Sequence, residues 1–161
     1  MKIIVMRHGD AMFSGGDRIL SPRGEQEARL TGMKLASVLN ISRIISSPKQ
    51  RAVRTAEVVR SLLRGRNIPE IEILPELSPE GDTRAVVDFL EATAGKDDNV
   101  LLVSHIPQVV NLSYAFCNRD QDFPAFYTAA ALVLSRDEGS ERFHACNFYQ
   151  PAGEGEIQDH L

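Results

Sequence analysis

The sequence predicts an α/β fold: a single doubly wound domain with a mainly parallel central sheet, helices on both faces and a C-terminal edge hairpin. Short apolar runs alternate along the chain with segments that have the spacing of amphipathic helices. The 161 residues are enough for one core of useful size but too few for two full domains. We therefore assign residues 1–150 to one domain and residues 151–161, rich in Gly, Glu and Asp, to a loose tail.

The predicted strands are nearly continuous apolar runs without regular polar alternation. This pattern is typical of strands buried on both faces of a parallel sheet. The four runs are Lys2–Met6, Arg43–Ser46, Ile71–Leu74 and Val100–Ser104. Two further strand-like segments, Ala129–Ser135 and Arg142–Phe148, flank a turn at 137–140 and predict the hairpin at the sheet edge.

Four segments between these runs place apolar residues on one face of a helix. They are Glu25–Leu39, Arg51–Leu63, Thr83–Ala94 and Pro107–Phe116. Pro22, Pro48 and Pro107 lie at the predicted helix starts, and Ser21 and Ser47 are placed to cap the first two helices. Residues 77–104 have room for only one helix and one strand, so we predict no helical lid insertion.

Composition excludes several classes of function. The chain has 18 basic and 22 acidic residues, a net charge of −4, which argues against a nucleic-acid partner held by bulk charge. The N-terminal apolar run is too short for a signal peptide, and no stretch approaches the roughly 18 apolar residues that span a bilayer. Two cysteines are too few for a disulfide scaffold. We expect a cytoplasmic monomer with no membrane partner.

Polar side chains follow each of the four predicted parallel strands. They are Arg7, His8 and Gly9 after the first strand, Arg51 in the helix after the second, Glu76 after the third and His105 after the fourth. In open α/β sheets, ligands bind at the carboxyl ends of the strands. We therefore expect these side chains to form one site.

The residue types favour phosphoryl chemistry. Two guanidinium groups suit a phosphoryl group because each can bond two of its oxygens, and a helix beginning at Pro48 would point N–H groups at the same anion. His8 can act as a nucleophile, and Gly9 lets the backbone fold close to its ring. The sequence has no Walker loop, dinucleotide-binding turn or Cys/His metal spacing, so we predict neither cofactor nor metal.

Four motifs in order resemble those of the histidine phosphatase superfamily, the phosphoglycerate mutase-like proteins. They are Arg7-His8-Gly9, Leu20–Ala28, Ser47–Ala56 and Ser104-His105. Three segments are more closely similar to the bacterial SixA-type phosphohistidine phosphatases: Arg7–Ala11, Leu74–Asp82 and Val103–Pro107. The resemblance covers residues 1 to about 135.

The resemblance implies a phosphatase that works through a covalent intermediate. His8, kept neutral, would attack phosphorus and form a phosphohistidine that water hydrolyses. Arg7 and Arg51 would disfavour protonation of His8 and stabilise the phosphoryl oxygens. His105, if protonated, would add a third cationic donor.

The general acid stays open at this stage. Glu76 is the best candidate by position, with Asp10 and Asp82 behind it. Imidazole can leave a phosphoramidate already protonated, so a dedicated acid can be dispensable. Further candidates for a phosphate hydrogen bond are Ser14, Ser104 and Thr128.

Without a helical insertion to act as a lid over the site, the pocket should be shallow and open. Such a pocket favours a substrate that is a phosphorylated side chain on another protein. We predict a phosphohistidine substrate on a signalling protein such as a histidine phosphotransfer domain. The alternatives are a small-molecule phosphomonoesterase of the same superfamily, a non-catalytic phosphate-binding module, and a metal hydrolase using His8, Asp10 and His105. A mutase is disfavoured because it needs the lid. The segment Phe123–Tyr127 is either an apolar rim for a partner or a buried connector.

Overall fold

Strands and helices alternate along the chain in the predicted order. The computed structural model describes residues 1–117, 121–154 and 158–159. Its strands are β1 (Lys2–Arg7), β2 (Ala11–Ser14), β3 (Asp17–Leu20), β4 (Arg43–Ser46), β5 (Ile71–Ile73), β6 (Asn99–Ser104), β7 (Gln121–Asp122), β8 (Ala131–Ser135), β9 (His144–Gln150), β10 (Gly153–Glu154) and β11 (Gln158–Asp159). Its helices are α1 (Pro22–Val38), α2 (Gln50–Leu62), α3 (Thr83–Thr93) and α4 (Gln108–Phe116), with a 3₁₀ turn at Pro75–Leu77.

A seven-stranded sheet in the order β10-β9-β8-β1-β6-β4-β5 forms the centre of the fold. Strands β1, β6, β4 and β5 are parallel neighbours, and the predicted hairpin β8–β9 joins β1 in antiparallel orientation. This arrangement confirms the predicted fold class. Because β1 and β6 run in register from Lys2↔Asn99 to Arg7↔Ser104, their carboxyl ends lie side by side.

Two apolar cores lie on opposite faces of the sheet. Ile3 and Val5 of β1 pack into the core shared with α3 and α4, whereas Ile4 and Met6 pack into the core shared with α1 and α2. Successive side chains of a strand point to opposite faces, so a continuous apolar run is what a doubly covered strand requires. All four side chains are fully buried.

The helix starts differ from the prediction at α2. At α1, Ser21 caps the helix as predicted, accepting the Gly24 N–H at 3.0 Å, and Pro22 occupies the first turn. Helix α2 begins at Gln50 rather than Pro48, and its N-cap is Lys49, without a side-chain cap. The predicted Ser47 cap is therefore wrong, because the Ser47 hydroxyl lies before the helix, where it is bonded to His105 and to the N–H of Lys49 rather than to an N–H inside α2.

The hairpin β2–β3 was not predicted. It follows directly from the loop after β1, pairs Phe13 with Arg18, and turns through Gly15 and Gly16, which have φ of 61° and 88°. Positive φ at both central residues is typical of a two-residue hairpin turn, and glycine adopts it at little cost. Most of β2 is exposed, so the hairpin lacks the apolar pattern that identified the other strands.

Between the 3₁₀ turn and His105 the chain holds only α3 and β6, which confirms the absence of a helical insertion. In the tail, β10 pairs with β9 and β11 pairs with β7. Residues 155–157 and 160–161 lie outside the described part of the chain, so the domain boundary at 150 stays a prediction. None of the helices in the described ranges combines the length and apolar character needed to cross a bilayer.

Candidate active site

The parallel strands bring the predicted site residues together at one edge of the sheet. The His8 N–H donates to the Ser104 carbonyl at 3.0 Å, which ties the residue after β1 to the end of β6. The rings of His8 and His105 then lie with their centroids 4.9 Å apart. Arg51, from the first turn of α2, lies close enough for its charge to lower the pKa of both histidines. Arg7, His8, Arg51 and His105 thus share one site.

His8 is held as a neutral imidazole with one free nitrogen. Its side chain is buried, and its Nδ1 lies 2.6 Å from the Gly9 carbonyl oxygen. Because a carbonyl only accepts hydrogen bonds, Nδ1 carries the proton and Nε2 keeps its lone pair. The pKa of His8 is lowered to about 4, mainly by burial, with smaller contributions from Arg51 and Arg7. The arginines act in the predicted direction, but desolvation is the larger cause.

His105 is also neutral and is oriented by Ser47. Its Nε2 lies 2.7 Å from the Ser47 hydroxyl oxygen, which also accepts the Lys49 N–H at 3.2 Å. The buried Ser47 hydroxyl proton has no other acceptor among the described residues, so we infer that it is donated to Nε2 and that Nδ1 carries the imidazole proton. The pKa of His105 is lowered to about 3, first by burial and then by His8 and Arg51. The expected cationic donor is therefore a neutral donor in the unliganded site.

Arg7 and Arg51 leave buried donors unpaired. Arg7 donates from Nη1 to the Phe126 carbonyl at 2.9 Å, and neither guanidinium forms an ion pair with the described residues. Among the described residues, four buried side-chain polar atoms lack a hydrogen-bond partner, and three of them are Arg7 Nε, Arg51 Nε and His105 Nδ1. Unpaired buried donors are costly, and their grouping in one place fits an anionic ligand with several oxygens.

Gly9 acts through its backbone, but differently from the prediction. Its N–H donates to the Thr55 hydroxyl at 3.1 Å, and that hydroxyl donates to the Arg51 carbonyl at 2.8 Å. The Gly9 N–H is therefore not available to a substrate. A Cβ at Gly9 would lie 2.5 Å from the carbonyl oxygen of Gly24, so the close approach is to α1. Sequence reasoning missed Thr55, although its position four residues after Arg51 places both on one helix face.

Glu27 of α1 links two loops that border the site. Its carboxylate accepts the Asp10 N–H at 2.8 Å and the Thr128 hydroxyl at 2.9 Å. The Asp10 carboxylate in turn accepts the Ser21 hydroxyl at 2.7 Å. Asp10 and Thr128 therefore stabilise local structure, and Glu27 is a positioning residue that the sequence pattern did not reveal.

Three further predicted candidates are engaged in local structure or lie on an exposed strand. Asp82, a candidate general acid, caps α3 by accepting the Ala85 N–H at 3.2 Å. The buried Ser104 hydroxyl donates to the Leu77 carbonyl, so its proton is not free for a phosphoryl oxygen. Ser14 is exposed at the end of β2.

Glu76 differs from these candidates. Its carboxylate makes no hydrogen bond or ion pair with the described residues, and its carbonyl accepts the Gln108 side-chain N–H at 2.8 Å. The backbone that carries Glu76 is therefore fixed while its carboxylate is not. Buried Gln108 was also missed by the sequence analysis.

The predicted site residues line neither of two cavities found elsewhere in the described part of the chain. These cavities have volumes of about 860 and 740 Å³, and the larger is lined by Met1, Arg84 and Arg136, among others. Within residues 1–117, 121–154 and 158–159, no group of three or more His, Cys, Asp or Glu side chains is arranged to hold a metal ion.

Comparison with known proteins shows which family the chain resembles. Residues 3–79 match the model of the histidine phosphatase superfamily (branch 1). The chain is 35% identical over 144 residues to the phosphohistidine phosphatase SixA of Escherichia coli, covering 86% of this chain and 87% of that protein. It is 34% identical over 159 residues to the SixA homolog of Haemophilus influenzae, covering 89% and 94% of the two chains.

The fold agrees with the sequence comparison. The solved structure of the protein histidine phosphatase SixA complexed with tungstate superposes with a TM-score of 0.83 at 32% identity, covering 94% of this chain and 98% of that one. These matches, together with the paired histidines and arginines at the sheet edge, establish that the chain belongs to the histidine phosphatase superfamily.

Proposed function

We propose that this protein hydrolyses phosphohistidine on phosphorylated proteins, with His8 as the nucleophile. One observation carries the proposal: a neutral imidazole with a free Nε2 shares its site with three buried, unpaired hydrogen-bond donors. The SixA relatives described above are phosphohistidine phosphatases, and the one in the solved structure is complexed with tungstate.

The first step transfers the phosphoryl group to the enzyme. His8 Nε2 attacks phosphorus and forms a P–N bond while the P–N bond to the substrate imidazole breaks. The electron pair of the broken bond stays on the substrate nitrogen, and the imidazole leaves as a neutral ring because its other nitrogen already carries a proton. The Gly9 carbonyl stabilises the positive charge that the His8 ring acquires, since it already accepts the Nδ1–H at 2.6 Å.

The second step returns the enzyme to its starting state. Water attacks phosphorus, the bond from phosphorus to His8 Nε2 breaks, and its electron pair returns to Nε2. The products are inorganic phosphate and neutral His8, and the water proton passes to phosphate or solvent. The reaction needs neither cofactor nor metal.

Arg7, Arg51 and His105 act on the phosphoryl oxygens in both steps. The two guanidinium groups remain charged even though burial lowers the pKa of each, and His105 adds its Nδ1–H. Phosphoryl transfer depends mainly on positioning and on electrostatic stabilisation of these oxygens. Donors already desolvated and unpaired in the free protein need little reorganisation at the moment of reaction.

Glu76 is proposed as an acid only for substrates that need one. An alcohol leaving group requires a proton, whereas imidazole can leave already protonated. We expect Glu76→Gln to spare hydrolysis of phosphohistidine and to slow hydrolysis of an alkyl phosphate ester such as O-phosphoserine, measured as kcat/KM for each. Equal losses on both substrates would show that the acid is needed for both.

The open site favours a protein substrate over a small metabolite. Only α3 and β6 lie between Glu76 and His105, so no inserted element covers the residues that contact the phosphoryl group. We propose a histidine phosphotransfer domain as the type of partner and a monomeric enzyme. The second candidate, a small-molecule phosphomonoesterase, is favoured by the unengaged Glu76 carboxylate, which could serve an ester substrate.

Trapping of the intermediate tests the proposal. Brief exposure to a ³²P-labelled histidine phosphotransfer domain should give an acid-labile, alkali-stable label on the peptide that contains His8. The variant His8→Gln should lose the label, and His144→Gln, which changes an exposed histidine on β9, should keep it. Label on another peptide, or label that survives acid, would overturn the mechanism.

A further inference from the structure

Large apolar side chains are exposed beside the site. Phe13 and Tyr127 are 82% and 68% exposed, the highest values for large hydrophobic residues in the described part of the chain. Ile106 is also exposed. Single exposed apolar residues are ordinary, but their concentration at one place indicates an interaction surface.

Two of these side chains follow a residue at the site directly in sequence, and Phe13 is linked to the site through the strand that carries it. Ile106 follows His105, and Tyr127 follows Phe126, whose carbonyl accepts a hydrogen bond from Arg7 at 2.9 Å. Phe13 lies on β2, which begins one residue after Asp10 and extends from the loop that carries His8. The three side chains therefore come from three separate segments that border the site: the β2–β3 hairpin, the loop after β6 and the loop before β8.

Arg18 adds a positive charge to this surface. Its guanidinium lies 5.9 Å from the centre of the Phe13 ring, a cation–π distance. Its charge lowers the pKa of Arg7, His8 and Arg51, so it acts at the site itself. Arg18 is exposed and forms no ion pair with the residues that the structure describes, although the Asp17 carboxylate accepts its backbone N–H at 2.7 Å.

We propose that a rim cluster formed by Phe13, Arg18, Ile106 and Tyr127 docks the surface of the phosphorylated protein around its phosphohistidine. The inference rests on the proposed function and adds the chemistry of the partner, which is an acidic surface with apolar side chains beside the phosphorylated histidine. Charge complementarity carries this choice. Arg7, Arg18 and Arg51 lie at the site without a side-chain ion pair among the described residues, although Asp10, Asp17 and Glu27 lie close enough to act on Arg7 or Arg51 and the whole chain has a net charge of −4.

The rim cluster has the composition of a binding hot spot. Exposed aromatic residues and arginine are the types that contribute most when they are covered by a partner. An aromatic ring with two rotatable side-chain bonds loses little entropy on docking, and the cation beside it steers an acidic partner. The unpaired donors in the site would bind the phosphoryl group, while the rim cluster binds the protein around it.

Two substrates separate docking from chemistry. One is a histidine phosphotransfer domain phosphorylated with phosphoramidate, and the other is free phosphohistidine, which is too small to reach the rim cluster. We expect the double variant Phe13→Ala/Tyr127→Ala to lose 10- to 100-fold in kcat/KM on the phosphorylated domain and to stay within twofold on free phosphohistidine. The loss should be in KM, and the melting temperature should stay near that of the wild type.

A charge reversal tests Arg18. We expect Arg18→Glu to lower kcat/KM on the phosphorylated domain more than on free phosphohistidine, and the difference between the two substrates should shrink at 0.5 M salt. Matched controls are Met33→Ala, an exposed apolar residue of α1, and Arg66→Glu, an exposed arginine after α2. Both controls should keep the wild-type ratio of the two kcat/KM values.

The failures of the two proposals are distinguishable. Wild-type protein that hydrolyses neither substrate would overturn the proposed function, and the docking surface with it. Hydrolysis of both substrates with no selective loss in the rim variants, or equal losses on both, would overturn only the docking surface. A wild-type dimer in sedimentation velocity that dissociates in the double variant would assign the rim cluster to self-association instead.

Discussion

An arginine at one edge of the parallel sheet is paired with a carboxylate, whereas an arginine at the other edge is not. At the amino edge, Arg43 of β4 forms two hydrogen bonds to the Glu72 carboxylate, at 3.0 and 2.7 Å, and this pairing raises its pKa. At the carboxyl edge, Arg51 has no ion pair among the described residues, and burial lowers its pKa. A paired arginine contributes to the fold, whereas an unpaired buried arginine costs stability and is retained for a ligand.

The largest expected effect is the loss of activity in Arg51→Ala, with Arg43→Ala as its comparison. We expect Arg51→Ala to lower kcat/KM on free phosphohistidine by about 10²–10³, the range typical for loss of one preorganised donor. Arg43→Ala should leave kcat/KM within twofold and lower the free energy of unfolding by about 1–2 kcal/mol, since its ion pair with Glu72, its hydrogen bond to the Thr93 hydroxyl and its contact with the Phe89 ring are lost. Steady-state kinetics and denaturant unfolding measure both. Equal losses of activity in the two variants would contradict the inferred difference between the two arginines.

A substitution at Ser47 tests whether its hydroxyl orients the neutral His105 ring at the carboxyl edge. Ser47→Ala removes the partner of His105 Nε2 and frees the ring to adopt the other tautomer. We expect kcat/KM to fall about tenfold, the equivalent of one hydrogen bond of roughly 1.4 kcal/mol. The ¹⁵N NMR shifts of His105 should move from the Nδ1–H tautomer toward a mixture.

Ser113→Ala is the matched control, because Ser113 is also fully buried and donates only to the Val109 carbonyl within α4. It should change neither kcat/KM nor the His105 spectrum. Retention of a pure Nδ1–H tautomer in Ser47→Ala would show that another group orients the ring.

The pH dependence follows from the two buried histidines. With the pKa of His8 at about 4, kcat/KM on free phosphohistidine should be flat from pH 8 to pH 6 and halved near pH 4, after correction for the titration of the substrate itself and for the uncatalysed rate. The unfolded chain takes up the same proton near pH 6.5, so stability should fall as the pH is lowered from 6.5 towards 4 and stay level above 6.5. NMR titration with assignment by His8→Gln provides the direct measurement, and a midpoint near 6.5 would contradict burial as the cause.

The smallest expected effect concerns the framework around the site. Ser21→Ala removes the cap of α1 and the hydroxyl that bonds to the Asp10 carboxylate. We expect a loss of about 1 kcal/mol in the free energy of unfolding, with kcat reduced less than threefold. Thermal denaturation and kinetics check this expectation. A loss of activity as large as that of Arg51→Ala would mean that the cap, rather than the unpaired donors, controls the site.

The sheet and the central site residues were predictable because they obey simple periodic rules. Continuous apolar runs mark doubly covered strands, and parallel strands end at a common edge. Those two rules are sufficient to group Arg7, His8, Arg51 and His105 from the sequence. The absence of a lid followed from chain length alone, since the short segment between Glu76 and His105 has no room for one.

The missed features depend on contacts that no local pattern encodes. Ser47 resembled a helix cap because Ser-Pro precedes an amphipathic helix, yet its hydroxyl is bonded to a histidine 58 residues away. Glu27 lies on α1 among other charged residues, and only the fold brings Thr128 to its carboxylate. The segment Phe123–Tyr127 satisfied neither alternative as a whole, because Phe126 is buried and Tyr127 is exposed.

The contact between Gly9 and Gly24 has a consequence for how such a protein can change. Two stretches of main chain cross there with no room for a methyl group on either glycine, so the path of the loop that follows His8 is fixed by backbone contacts. Repacking of neighbouring side chains cannot adjust it. New specificities must therefore arise at the edges of the mouth, by variation in the β2–β3 hairpin and in the loops around Ile106 and Tyr127, while this crossing stays unaltered.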